Sequence, residues 1–447
     1  MTTSFIERAK STCALGGALV TISSLPKAIP IVHASGGCAT MLAGTYNLGS
    51  GYMGSGYCSG QMTPTSNIVE KDIVFGGEER LEEQIANTIK VIDGELYFVV
   101  TGCQVEIIGD DAVGVVKRFQ DSGTFVLGAN TPGFKGDGFA GYDVVLSTLA
   151  ADFVAPQAVK DQRTVNILGI MPGQDVFYRG NIRGITRLLR RLGVKANTFF
   201  GDGETIEKIR QYGNAGVTLV FSEKYGIKPA QVFEEKHQIP YITLDLPIGE
   251  TQTDAFLRAV GKQLHLDPQA VEALIAEEKQ YYYSYLERIL EIYGDIDFQR
   301  YAIVSADLNY AFPLISFLAD DLGWVPHLVV INDELDDLQR RRFEQKFLRL
   351  TSEAKPKIVF EPHTGQLLRH IRESWPQNSS EKYYNSLSPA FVVGSSLEGN
   401  VAANIGASFL SVAFPVTNRA VLDRGYTGYR GGLTLAEDVF SALVSNR

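Results

Sequence analysis

With 447 residues, 45 % of them hydrophobic and 21 % charged, the chain has the size of two to four domains and the make-up of a soluble globular enzyme with ample core. Four cysteines are too sparse for a disulfide framework, and 51 acidic against 41 basic residues exclude a sequence-independent nucleic-acid binder, which needs a basic field to displace counterions. No run reaches about 18 uncharged apolar residues, because the longest candidate, Tyr310 to Ile331, carries Asp320 and Asp321; no membrane span is expected, and the protein is placed in the cytoplasm.

The apolar stretch Cys13 to Ser24 resembles a signal-peptide core, with Arg8 and Lys10 ahead of it, but Lys27 interrupts it before the small-residue site at Ala34. The apolar run resumes as Ile29 to Val32, which predicts a strand, and Ser35-Gly-Gly-Cys38 closes it. Gly49-Ser-Gly51-Tyr-Met-Gly54 matches the dinucleotide pattern Gly-x-Gly-x-x-Gly, yet it neither ends a strand nor opens a helix. Cys58 follows in a glycine-rich run with no strand leading into it and is assigned no ligand role. Leu96 to Val100 predicts the next strand, closed by Thr101-Gly-Cys103. Asp110 and Asp111 then read as caps at the start of a helix through Val113, Val116 and Phe119.

From there β-branched runs alternate with amphipathic stretches: Val165 to Ile170, Val217 to Phe221, Tyr301 to Val304, His327 to Ile331, Lys357 to Phe360, Phe391 to Val393 and Phe409 to Phe414. This is the pattern of mostly parallel sheets flanked by helices, an α/β class with three units expected at 1–160, 161–297 and 298–447. The helical run Asp267 to Tyr293 repeats Leu274, Ile275, Tyr282, Leu286, Ile289, Leu290 and Tyr293 at helical spacing. Its tyrosine cluster therefore reads as packing and partner surface and not as a platform for bases.

No phosphate-binding Gly-x-x-x-x-Gly-Lys-Ser/Thr loop, Gly-x-Ser-x-Gly elbow or His-Glu-x-x-His pair occurs, so any ATP acts on another polypeptide and hydrolytic chemistry has no support. Without a Cys-x-x-Cys or close Cys/His pair, zinc fits poorly. Cys13, Cys38 and Cys103 suit an iron–sulfur site better. Such a cluster needs thiolates converging from separate loops, and adjacent glycines let backbone N–H groups approach its sulfides. Three thiolates are one short of a four-cysteine site, so the remaining ligation falls to a non-cysteine group or a partner chain. His33, five residues before Cys38, reads as a satisfied interior histidine or a group behind the ligands.

These residues resemble a family, the component-1 subunits of nitrogenase and its relatives. The likeness rests on the cysteine intervals, His33-Ala-Ser-Gly-Gly-Cys38, Glu70-Lys-Asp-Ile-Val-Phe-Gly-Gly77 and Thr101-Gly-Cys103 with Glu106-Ile-Ile-Gly-Asp-Asp111. Phe414-Pro-Val, Asn418-Arg419 and Gly428-Tyr-Arg-Gly-Gly432 extend it to the C-terminal region. The resemblance implies three Rossmann-like domains and an iron–sulfur cluster, an eight-iron [8Fe-7S] P-type or a smaller [4Fe-4S], shared with a homologous α-type subunit. Cys13, Cys38 and Cys103 would be this chain's ligands, in an α2β2 heterotetramer served by a separate ATP-hydrolysing iron–sulfur reductase.

The β-type placement follows from the middle unit, which has no cysteine to hold the α-type cofactor, and from Thr12-Cys13, Ile239-Pro240 and Pro247-Ile-Gly249; Glu70 to Gly77 is nearer the α type. His363 in Glu361-Pro-His-Thr-Gly365 carries no mark of a ligand. Two departures stand out. The segment after Cys38 is not basic, and Thr131-Pro-Gly133-Phe134 has glycine where molybdenum nitrogenases carry a serine able to ligate the oxidised cluster. They imply a nitrogenase-like reductase outside the nitrogen-fixing clade, with methylthio-alkane reductase, a carbon–sulfur bond-cleaving enzyme, favoured. A nitrogenase β subunit and a cofactor-assembly scaffold are the rivals, and a tetrapyrrole reductase is more distant.

Overall fold

The computed structural model describes residues 9–54, 63–119, 124–294, 298–375 and 390–445. These residues form three wholly parallel sheets. The first has the order β1 (Ala28–His33), β2 (Leu96–Thr101), β3 (Val126–Ala129). The second comprises β4 (Asp161–Leu168), β5 (Lys195–Asn197), β6 (Ala215–Val220) and β7 (Tyr241–Thr243) in the order β5-β4-β6-β7. The third comprises β8 (Tyr301–Ala306), β9 (Val325–Ile331), β10 (Lys357–Phe360), β11 (Ala390–Gly394) and β12 (Ser408–Ser411) in the order β10-β9-β8-β11-β12.

Burial on both faces explains the unbroken apolar strands: β1, β2 and β11 are buried along their whole length. In β1 and β2 the faces alternate with period two. Ala28, Val32, Leu96, Phe98 and Val100 join a core that runs through all three sheets, whereas Ile29, Ile31, Tyr97 and Val99 pack outward under the Glu78–Val91 helix with Leu81 and Ile85. The short strands β3, β5 and β7 escape the sequence reading because Val-Leu-Gly-Ala, Lys-Ala-Asn and Tyr-Ile-Thr are too brief to form a β-branched run.

The signal-like stretch is a buried helix, Ala14–Ser23, lying against the Gly138–Thr148 helix at backbone contact. A Cβ on Gly17 would fall 1.7 Å from Gly138 O and one on Gly141 1.9 Å from Ala14 O, so only glycine permits this crossing. The Pro268–Tyr293 helix buries Leu274, Ile275, Tyr282 and Leu286 and leaves Tyr281, Tyr283 and Tyr285 at the surface. The last helix, Gly428–Ser445, returns to the Gly249–Gln263 and Pro268–Tyr293 helices, where Tyr429 Oη donates to Asp254 at 2.6 Å. Among the described residues no helix is long and apolar enough to cross a membrane.

Candidate iron–sulfur site

All three cysteines of the cluster hypothesis lie at the carboxyl edge of the first sheet, where ligands of open α/β sheets bind. β1 ends at His33, Ser35 takes the extended N-cap position, and Cys38 is the third residue of the Gly36–Gly49 helix. β2 ends at Thr101, Gly102 is the extended N-cap, and Cys103 is the first residue of the Cys103–Ile108 helix. Cys13 is itself the N-cap of the Ala14–Ser23 helix and bridges Asp137, beyond β3, while Ala14 N–H donates to Gly136 O at 2.9 Å. Helix starts gather unpaired N–H groups, the polarity that stabilises negative charge.

The loop after β3 brings two sulfurs together. The position a Gly133 Cβ would occupy is 3.2 Å from Cys103 Sγ and 3.4 Å from Cys13 Sγ, and Gly133 N–H donates to Cys103 Sγ at 3.1 Å. Thr101 and Thr131 lock this loop to β2. Thr131 N–H donates to Thr101 Oγ1 (2.9 Å), Thr131 Oγ1 to Thr101 O (3.0 Å), and Thr101 Oγ1 to Glu106 Oε1 (2.6 Å). Cys38 is joined to the same cradle from the other side: Gln104 Nε2 donates to Ser35 Oγ (3.3 Å), whose hydroxyl points at Cys38 Sγ (3.6 Å). Thr12 Oγ1 and the buried Tyr46 hydroxyl, 2.8 Å apart, tie the residue before Cys13 to the helix that carries Cys38.

His33 is fully buried behind this edge. Its Nε2–H donates to Asp110 Oδ2 at 3.1 Å, leaving Nδ1 to accept from the Ser66 hydroxyl at 2.9 Å. Burial lowers its pKa below the usual histidine value against the opposing pull of Asp110, so a neutral ring braces the end of β1 to the turn after the Cys103 helix. The two aspartates therefore do not both cap, as the sequence suggested. Asp111 accepts from Gly114 N–H and caps the Ala112–Lys117 helix, whereas Asp110 also accepts from Gly77 N–H at 3.1 Å. Neither the Asp110 brace nor the threonine lock was anticipated; the only signal was the pair Thr101-Gly-Cys103 and Thr131-Pro-Gly133 at the ends of neighbouring strands.

Cys13, Cys38 and Cys103 are all half-buried, and Cys13 and Cys38 pack against the edge of the main core. Exposed apolar side chains on these elements are Met41 and Leu48 on the Cys38 helix, Ile107 on the Cys103 helix and Phe134 next to Gly133, with Val74 and Phe75 exposed on the Glu70–Phe75 helix. Phe75 is 80 % exposed. Among the described residues no three His, Cys, Asp or Glu side chains converge on a single-ion site. Separate half-buried thiols, a glycine that leaves space between two of them and a backbone donor aimed at one sulfur fit a share of a larger cluster. Cys58 lies outside the described residues. His363 is engaged locally, its Nδ1 accepting from Gly365 N–H at 3.3 Å.

A family described as nitrogenase component 1 type oxidoreductase matches residues 13–444. The chain belongs to this family. Of its relatives, the nitrogenase iron-iron protein beta chain of Rhodobacter capsulatus is 24 % identical over 463 residues, spanning 97 % of this chain and 93 % of the relative. The nitrogenase molybdenum-iron protein beta chain of Methanococcus maripaludis is 23 % identical over 471 residues, with coverages of 97 % and 93 %. The nitrogenase iron-molybdenum cofactor biosynthesis protein NifE of Methanococcus maripaludis is 28 % identical over 257 residues, 56 % of this chain and 51 % of that protein. A solved structure described as nitrogenase Cp1 at pH 6.5 has a TM-score of 0.79 at 19 % identity, covering 100 % of this chain and 94 % of its own, which establishes the shared fold. As a nitrogenase component 1 type oxidoreductase, the chain is an oxidoreductase subunit of nitrogenase-like, β-type kinship.

Proposed function

We propose that this chain is the β-type subunit of a nitrogenase-like reductase, working in the cytoplasm as half of an αβ unit in an α2β2 heterotetramer. It would relay electrons from a separate ATP-hydrolysing iron–sulfur reductase toward a cofactor in the homologous α-type subunit. The observation that supports this reading is the place of three half-buried cysteines along one edge of the first sheet, Cys38 and Cys103 each just after a strand at a helix start and Cys13 and Cys103 with their sulfurs beside Gly133. Cys13, Cys38 and Cys103 would hold this chain's share of an [8Fe-7S] or [4Fe-4S] cluster and the partner subunit the rest. When bound, such a cluster supplies one-electron storage and transfer. The chain's own residues orient the ligands: Gly133 N–H donates to Cys103, Ser35 with Gln104 directs Cys38, and Thr101 with Thr131 fixes the loop between them.

The favoured overall reaction is reductive carbon–sulfur cleavage of small methylthio-alkanes. It draws support from Gly133, which offers no side-chain oxygen beside the two sulfurs, and from the non-basic segment after Cys38. The test is anaerobic purification of the complex with metal analysis and a substrate screen. Cys38→Ala or Cys103→Ala is expected to abolish the cluster's electron paramagnetic resonance signal and reduction of thioethers, while Cys58→Ala keeps near-normal iron; wild-type iron and turnover in the first two variants would refute the ligand assignment. The similarity to NifE over 56 % of the chain favours a scaffold as the second reading. Substrate-independent transfer of a cluster to an apo-enzyme, without sustained ATP-dependent reduction, would support it.

A further inference from the structure

Lys10 stands three residues before Cys13 and is the only buried lysine among the described residues. Its ammonium donates to Ser305 O (3.0 Å) and Ser305 Oγ (3.1 Å) in β8 and to Asn332 Oδ1 (2.9 Å) after β9. It also pairs with Glu398 Oε1 at 3.1 Å, both side chains being nearly inaccessible to water. Glu398 is fixed in turn, its Oε2 accepting from Ser395 N–H (2.6 Å) and Ser395 Oγ (2.7 Å) just beyond β11. From the second sheet's side, Gln174 Nε2 donates to Lys10 O at 2.6 Å. The segment from residue 9 to Thr12 has no ladder or helix of its own. Its place is therefore set by these side-chain contacts on one end and by the Thr12–Tyr46 hydroxyl contact and the Cys13–Asp137 bridge on the other.

A buried ion pair is a poor source of stability, because desolvation offsets the attraction and an apolar pair of similar size commonly does as well. The hydrogen bonds from Lys10 to Ser305 and Asn332 and from Ser395 to Glu398 are directional and fix the position of the two charges. Three residues of chain span at most about 10 Å, so a displacement of Lys10 passes directly to Cys13. We propose that the Lys10–Glu398 pair is a positioning device for Cys13, anchoring the N-terminal ligand segment to the carboxyl edge of the third sheet so that ligation on the first sheet depends on both. This rests on the reading of Cys13 as a cluster ligand.

The test uses the full-length chain and the purified αβ complex with Lys10→Met, Glu398→Gln, the double variant and the exposed-pair control Lys195→Met. In the iron-free full-length chain, iodoacetamide labelling of each cysteine is followed by mass spectrometry. Lys10→Met and Glu398→Gln are expected to speed Cys13 labelling on the order of tenfold or more, as loss of a buried pair loosens its segment. Cys38 and Cys103 should stay within about twofold of wild type, and the double variant should be no worse than Lys10→Met alone if the pair acts as a unit. In the complex, the same variants should shift the cluster's resonance spectrum and midpoint potential while Lys195→Met does not.

Wild-type labelling of Cys13 in both single variants would overturn the proposal, as would equal acceleration of all three cysteines, which signals general unfolding. Should Lys10→Met fail to fold, Glu398→Gln decides by the same criteria. Wild-type iron in Cys13→Ala would defeat the ligand reading instead, and the labelling result would still decide the tether.

Discussion

Gly133 shows how little room the sulfurs leave. A methyl group there would press on Cys103 Sγ and on Cys13 Sγ at separations tighter than ordinary van der Waals contact. Gly133→Ala is expected to lower the melting free energy of the chain by about 1–2 kcal/mol, a modest overpacking cost, and to reduce iron content of the complex by a larger proportion than its stability. Thermal melts alongside iron assays check this, and unchanged iron would mean that the two sulfurs do not share a cluster. Tyr282 teaches the opposite lesson. Its ring is fully buried, but its hydroxyl has no hydrogen-bond partner, so Tyr282→Phe should be neutral or stabilising by up to about 1 kcal/mol in urea unfolding, whereas Tyr282→Ala should cost about 3–5 kcal/mol. A marked loss in the phenylalanine variant would reveal a partner for that hydroxyl.

Helices and loops carry the site as pre-set pieces. Because Gly17 and Gly141 let two helices touch at their backbones, Gly17→Ala should force them apart at a cost of about 3 kcal/mol, the upper end of overpacking, and move Cys13 with its helix. Thr101→Val is expected to cost about 1–3 kcal/mol, since Thr131 N–H loses its acceptor inside the protein, with loss of the Gly133 loop's position visible as faster proteolysis or hydrogen exchange there. Such partners explain what was legible beforehand and what was not. Cys38 and Cys103 stood out because each closes an apolar strand with a glycine beside it, and β1, β2, β8 and β9 stood out because strands buried on both faces are continuous apolar runs. The links His33–Asp110 and Thr101–Thr131 cross 77 and 30 residues of chain, and no local pattern announces them. The backbone contact of the Ala14–Ser23 helix was hidden for a related reason: a helix buried on every side has no polar stripe to betray its period.

At the scale of the whole molecule, one core joins the three sheets and holds several carboxyl groups away from water. Asp143 is the clearest. Burial pushes its pKa up to about 7 despite the hydrogen bond it accepts from Gly226 N–H at 2.7 Å, and Asp321 shifts upward for the same reason. The folded chain keeps this proton up to near neutrality while the unfolded chain releases it near the ordinary 3.8, so the stabilisation is complete below that value and is lost as pH rises toward 7. Between pH 5 and 7, wild type should lose stability with rising pH by up to about 1.4 kcal/mol per unit for each such group, and Asp143→Asn should flatten that slope in melts across the range. A variant with the wild-type slope would show that Asp143 is ionised in the fold.

The first sheet also imposes an order in time. Cys13 finds its bridging partner only at Asp137, and the Gly133 loop that faces its sulfur is held by β2 and β3, themselves separated from β1 by the long Glu78–Val91 crossover. A ribosome must therefore release more than the first 137 residues before the N-terminal thiol has a place to sit, and iron delivered to the emerging chain earlier would meet loose cysteines in no fixed arrangement. Insertion of the proposed cluster is thus expected to follow synthesis of the first sheet, which makes protection of the three thiols during that interval a task for the cell.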